Sequence, residues 1–307
     1  MQKVNNISIA IDGPAGVGKG YVGKKLAGEL GFVYLSSGEL YRAIAYSLQN
    51  GGVKSVSKND YPAIQAYFNG DTETVIESYL NDFEKCFELR PQNNLLQAHL
   101  NGVNVTEKLH TAKISDATKE IAKNCVVRKF ITQIQHKAAQ DFNLVLEGRD
   151  IGSVVLPDAN FKFYLDASAE ERGLRRYLQD MLGAKGDNFI KDAAARYREF
   201  SSWDVKANKT LLKKVKAQKQ FLDTVNDINV RDNADKMREH SPLTVPKGAY
   251  IINTDNFTGD EVSEMLCRFV KNNKVEPCRL KSGKNVNVNE NIVYNAQNCL
   301  QCAGRQK

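Results

Sequence analysis

Gly13-Pro14-Ala15-Gly16-Val17-Gly18-Lys19 is spaced to hold a chain of phosphates. Residues 7–11 before it read as a buried strand, and 19–30 after it as a helix closing at Gly31. In such a turn successive backbone N–H groups wrap a β-phosphate. The helix N-terminus adds partial positive charge, and Lys19 reaches the β- and γ-phosphates. Glycines let the backbone come within hydrogen-bond distance, where a Cβ would intrude. The phosphate-binding stretch runs on through Gly20 and Tyr21, and both depart from the common pattern. Gly20 stands where Ser or Thr usually holds magnesium, and Tyr21 offers a larger, differently placed hydroxyl.

Three further clusters could handle a phosphate-bearing acceptor. In Ser36-Ser37-Gly38-Glu39-Leu40-Tyr41-Arg42, Arg42 is a bidentate phosphate ligand on the first turns of a helix and Ser37 sits near its start. A plain helix-surface arginine is the alternative. Glu147-Gly148-Arg149-Asp150 follows the apolar run 144–146. A carboxylate at that strand end suits a magnesium-bound water, which is the role of Glu147. Arg149 and Asp150 project beyond it, where α/β sheets bind ligands. An anion-binding arginine beside an acceptor-only carboxylate suits a ligand with a phosphate at one end and an exocyclic amino group at the other. The third cluster is Arg231-Asp232-Asn233-Ala234-Asp235-Lys236-Met237-Arg238 followed by Ser241-Pro242-Leu243. Helical spacing puts Arg231, Asp235 and Arg238 on one face, and a solvated ion-pair stripe is the alternative there.

Elements must position these groups. Short apolar runs at 7–11, 33–35, 144–146, 161–165 and 249–252 alternate with helical patterns, among them 38–49, 115–140, 166–182 and 259–270. That predicts an α/β fold with a five-stranded parallel sheet flanked by helices. Residues 53–113 read as a small inserted subdomain with a hairpin over 95–105 around Asn101-Gly102. A single phosphate-binding domain is thus expected over 1–270. Its core is 5–50, 115–182 and 231–270, an enlarged helical lid is 183–230, and 271–307 is a basic, disordered extension.

The net charge of +7 is unevenly spread. Residues 185–220 carry ten basic and four acidic side chains, and residues 271–307 carry seven and two, leaving the rest slightly acidic. That excludes a general nucleic-acid platform. Cys299-x-x-Cys302 lacks a second close pair, so free thiols are expected in place of zinc. His99, His110, His136 and His240 have no metal spacing. No apolar run approaches the ~20 residues of a membrane helix, and a cytoplasmic monomer is expected.

Taken together, these segments resemble the bacterial cytidylate kinases. The matching pieces are Ile9–Pro14 with the phosphate loop, Ser37-Gly38 with Tyr41-Arg42, Val127-Arg128, Gly148–Val155 with Pro157-Asp158-Ala159, Leu165–Arg172, and Arg231–Leu243. The resemblance implies ATP and Mg2+ as donor and cofactor and CMP or dCMP as acceptor. It implies that Arg42 and Arg149 hold the acceptor phosphate, with Ser37 lining that place. Arg128 and Asp150 would read the cytosine edge, and Arg231 and Asp235 would touch the pentose. Arg238, Arg172 and Arg176 would act near the phosphates, the last two as lid arginines. Lys119 stands where a base-reading serine is expected, Ser36 where an acid often is, and Glu147 where aspartate is usual. Lys119 keeps open another acceptor such as UMP, and Gly20-Tyr21 with the basic lid and basic tail keep open a nucleotide-binding regulatory or RNA-associated protein with weak catalysis.

Overall fold

The computed structural model describes residues 6–50, 73–183, 209–239 and 241–273. Residues 51–72 with the start of the expected inserted subdomain, much of the expected lid (184–208) and the tail beyond 273 lie outside the described residues. The chain forms a mixed α/β fold with a mostly parallel sheet flanked by helices. It divides into two compact units, Met1–Ser8 with Ala27–Gly148, and Ile9–Leu26 with Arg149–Lys307.

All five expected strands form: β1 (Ser8–Asp12), β2 (Val33–Ser36), β6 (Leu144–Glu147), β7 (Phe161–Asp166) and β8 (Tyr250–Asn253). In the first unit the strand order is β3-β4-β2-β6, with β5 on β4. Here β3 is Phe87–Gln92, β4 Leu95–Leu100 and β5 Val103–Asn104. The hairpin read from Asn101-Gly102 is present, both residues having positive φ (50° and 77°), as a tight two-residue turn requires. A second hairpin, β3–β4, turns on Asn93-Asn94 with φ of 50° and 61°. Its turn is tied to the parallel strands, because the Tyr34 N–H donates to the Asn94 carbonyl and the Asn94 side chain donates to the Phe32 carbonyl. The hairpin therefore extends the sheet beside β2, with β4 parallel to β2.

Helices α2 (Ser37–Asn50), α3 (Glu73–Cys86), α4 (Ala112–Ile121) and α5 (Cys125–Asp141) belong to this unit. The 115–140 pattern is two helices and not one. Asn124 interrupts it, its side chain accepting from the N–H groups of Val126 and Val127 as an N-cap. Phe83 is fully buried, stacked on Phe87 at 4.8 Å and edge-on to Phe130 at 6.1 Å.

In the second unit β1 pairs β7 and β7 pairs β8, all parallel. The run Ile9-Ala10-Ile11 is fully buried, as a strand covered on both faces must be. This unit holds most of α1 (Lys19–Leu30), together with α6 (Ala169–Gly183), α7 (Lys209–Lys216), α8 (Lys219–Lys236) and α9 (Gly259–Asn272). A capping box starts α9, with the Thr258 hydroxyl accepting from Glu261 N–H and the Glu261 carboxylate accepting from Thr258 N–H. Helices α6 and α8 pack closely. Tyr177 meets Phe221 edge-on at 6.0 Å, and a Cβ at Gly173 would lie 2.4 Å from Val225 Cγ2, so that position needs glycine. Helix α8 also joins the end of the expected lid to the Arg231 cluster in one continuous element.

Candidate active site

The phosphate loop occupies the second unit between β1 and α1. Gly13 has φ +143°, and a Cβ there would meet the Leu165 carbonyl oxygen at 2.0 Å, so the first glycine lets the loop lie on β7. Four loop carbonyls are held by cations. Lys19 Nζ donates to Gly13 O and Pro14 O, both at 2.8 Å; Arg172 donates to Ala15 O at 3.0 Å, and Arg175 to Val17 O at 3.4 Å. In a planar trans peptide the N–H points opposite to the carbonyl. The N–H groups of Ala15, Gly16 and Gly18 therefore point away from those cations, the orientation an anion-binding turn requires.

Beside the loop, Arg149 Nε donates to Asp235 Oδ2 at 2.9 Å and its Nη1 to Gly13 O at 3.0 Å. Arg238 pairs with the other oxygen of the same carboxylate, and Asp235 is buried. Lys19 and Arg149 thus converge on the Gly13 carbonyl, while Arg149 and Arg238 share one acid. Both arginines stay partly exposed, at 18% and 30% of their side chains, so they can still meet an incoming anion.

The face expected to carry Arg231, Asp235 and Arg238 is arranged differently. Helix α8 ends at Lys236, and Arg238 reaches Asp235 from beyond the helix end. The buried face is Ile228, Asp232 and Asp235, whereas Arg231 is exposed. The two expected lid arginines also part company. Arg176 is exposed, but Arg172 is buried, its guanidinium bonded to Asp232 at 2.7 Å and to the carbonyls of Ala15 and Ala167. Arg172 therefore braces the loop at Ala15 O instead of projecting from the helix surface. Its neighbour Arg175, without a sequence-read role, donates to Val17 O, Thr254 Oγ1 and Thr254 O.

Asp12 has no sequence-read role beyond its place in the Ile9–Pro14 match. It is fully buried at the end of β1, and its two oxygens accept from the N–H groups of Ile151 (2.8 Å) and Gly152 (2.7 Å). It thereby fixes the backbone just after Arg149 and Asp150. Burial, outweighing those two N–H groups, pushes its carboxyl up to about 6; the Asp150 charge pushes the same way and Lys19 opposes. Tyr164, its register partner on β7, also feels the Asp12 charge. As pH falls through about 6, Asp12 takes up a proton and one N–H loses its acceptor. The expected result is an acid limb in kcat near that pH. A substrate phosphate titrates near ~6 as well, so the discriminating measurement is the kcat–pH profile of Asp12→Asn, which should be low and lack the Asp12 component. An unchanged limb in that variant would contradict the role.

The first unit holds the remaining expected residues. Glu147 ends β6 directly opposite Ser36 of β2, and the Ser36 hydroxyl donates to Glu147 Oε1 at 2.6 Å. Two positions that depart from the expected residue types are thus partners. The buried Tyr34 phenol is raised well above its usual range, chiefly by burial and then by the Glu147 charge. Among the described residues no group of three acids, histidines or cysteines could cage a metal. The single oriented carboxylate of Glu147 fits Mg2+, which keeps several waters and takes its other oxygens from phosphates.

Ser37 opens α2 and is buried. Arg42 donates to Leu109 O (3.1 Å) and Ser115 Oγ (2.8 Å), so Ser115 is a partner that spacing alone did not reveal. Arg128 donates to Ala122 O at 3.2 Å and lies 5.9 Å over the Tyr41 ring, a cation–π contact linking α5 to α2. Lys119 is exposed and paired with Asp116 on its own helix.

Strand, glycine loop and helix, with Lys19 folded over the loop, define a P-loop kinase fold. A model of the cytidylate kinase family matches residues 9–201 and 201–272. The chain is 33% identical over 268 residues to a cytidylate kinase of Caldanaerobacter subterraneus, covering 87% of this chain and 96% of that one. It is 33% identical over 277 residues to the cytidylate kinase of Thermosipho africanus, covering 90% and 98%, and 32% identical over 267 residues to that of Citrifermentans bemidjiense, covering 87% and 94%. The chain belongs to the cytidylate kinase family and is a kinase. No helix among the described residues is long and apolar enough to cross a membrane.

Proposed function

We propose that the chain moves the γ-phosphoryl group of ATP to CMP or dCMP, giving ADP and CDP or dCDP. The observation that carries this reading is the convergence of Lys19 and Arg149 on the Gly13 carbonyl, with Arg149 and Arg238 sharing Asp235. In this reaction an oxygen of the acceptor phosphate attacks the γ-phosphorus, and the bond to the β–γ bridging oxygen breaks as ADP leaves. The acceptor oxygen is already anionic, so no general base is needed, and catalysis is positioning plus charge neutralisation.

In this scheme the loop N–H groups bind the donor phosphates, and Lys19 follows the charge that develops on them. Arg149 and Arg238 neutralise the transferring group, and Arg176 assists from α6. Arg42 and Arg149 bind the acceptor phosphate, Ser37 lines its place, and Arg231 and Asp235 contact the pentose. Glu147 would hold Mg2+ through a water, and the ion would supply neutralisation of phosphate charge. Asp150 accepts from the cytosine 4-amino group, and Arg128 reads the same edge. A uracil presents a carbonyl to Asp150, acceptor against acceptor, and that mismatch sets the selectivity.

An ADP-release assay across CMP, dCMP, UMP, AMP and GMP tests the reading. The kcat/KM for CMP or dCMP should exceed that for UMP on the order of a hundredfold or more. Equal rates with UMP would assign the acceptor role of Asp150 wrongly, and no acceptor-dependent turnover would remove the kinase reading.

A further inference from the structure

Tyr21 lies in the first turn of α1, two residues after Lys19. Its hydroxyl donates to Asp260 Oδ1 at 2.5 Å, and Lys25 Nζ donates to the same oxygen at 2.6 Å. A phenol has one proton to give. That proton goes to Asp260 and not to a phosphate oxygen, so the hydroxyl does not substitute for a phosphate-facing serine or threonine. The ring is what remains. It presses on Gly259, where a Cβ would sit 2.5 Å and 2.7 Å from two ring carbons, yet Tyr21 is 56% exposed. Among the described residues it is the one aromatic counted with the large exposed apolar side chains.

The loop also gives the donor a direction. Lys19 Nζ and Arg149 meet at Gly13 O, which marks the end where the γ-phosphoryl group departs. The opposite end is marked by Arg175, which ties Val17 O to Thr254 in the β8–α9 connection. A triphosphate laid across the N–H groups from the first end to the second brings its α-phosphate and sugar out beside residues 20 and 21.

We propose that the Tyr21 ring is a platform for the nucleoside part of the phosphoryl donor. This role rests on the donor reading given above. Asp260 at the Tyr21 hydroxyl and Gly259 against the ring hold the platform before the donor arrives, so little ordering is left to binding. The contact is to a π-face, and it distinguishes a nucleoside triphosphate from a bare polyphosphate.

Calorimetric titration of the full chain with Mg-ATP and with Mg-tripolyphosphate, which has phosphates but no nucleoside, tests this. Tyr21→Ala should weaken ATP about tenfold, the scale of base–aromatic stacking, and leave tripolyphosphate unchanged. Tyr21→Phe keeps the ring and should recover the ATP affinity. Undiminished ATP binding by Tyr21→Ala would overturn the proposal. So would equal weakening of both ligands, which would make Tyr21 a support of the loop only, or a Tyr21→Phe variant as weak as Tyr21→Ala. A wild-type chain that binds neither ligand would instead remove the donor reading itself, and the platform with it.

Discussion

Lys19→Ala is expected to lower kcat/KM for phosphoryl transfer on the order of a thousandfold or more while the chain stays folded. The asymmetry follows from what Lys19 touches. Its ammonium donates to two backbone carbonyls, Gly13 O and Pro14 O, and it opposes the burial effect on Asp12. Losing it leaves the Pro14 carbonyl without this donor, at about 1–3 kcal/mol if it stays dry, while the Gly13 carbonyl keeps Arg149. The gain from removing a buried cation offsets part of that. The reaction has no such offset. Negative charge on the β–γ bridging oxygen grows as the bond breaks, and Lys19 is the flexible point charge at the head of the loop. Circular dichroism and a thermal melt, run beside the ADP-release assay, separate the two effects. A folded variant within about tenfold of wild type would mean that the loop does not hold the donor.

Arg172→Met should give the largest loss of stability, about 3–5 kcal/mol. Arg172 and Asp232 are both buried and bonded at 2.7 Å, and Asp232 Oδ1 has no hydrogen-bond partner among the described residues. Removing the guanidinium strands that carboxylate and also frees the carbonyls of Ala15 and Ala167. The double variant Arg172→Met with Asp232→Leu should recover much of the lost stability, since the uncompensated charge is the main penalty. Its ATP affinity should stay reduced because Ala15 O is still unheld. Urea unfolding of the wild type and three variants gives the coupling directly. A single Arg172→Met variant with an unchanged midpoint would contradict the buried-strut role.

The phosphate loop was legible because its chemistry is local: seven adjacent residues, a strand before and a helix after. The convergence on Asp235 was only half legible. Arg149 and Asp235 lie 86 residues apart, and periodicity put Arg231 on the important face. Helical spacing finds which residues share a face but not where the helix stops, and α8 stops before Arg238. It also favours apolar residues as the buried side, whereas α8 buries two aspartates because Arg172 and Arg149 are there to receive them. Asp12 was hidden for a similar reason: just after an apolar strand run, a carboxylate discloses its role only when Ile151 and Gly152 are seen to donate to it. Asn101-Gly102 announced its turn through the glycine. Asn93-Asn94 did not, since asparagine reaches positive φ less characteristically.

Transfer of one phosphoryl group from ATP to a cytidine monophosphate is tested most directly by incubating the full chain with γ-radiolabelled ATP, Mg2+ and CMP and then separating the nucleotides. Label is expected in the β-phosphate of CDP, in proportion to the ADP formed and absent without CMP. Label appearing only as inorganic phosphate, at the same rate with or without CMP, would contradict it.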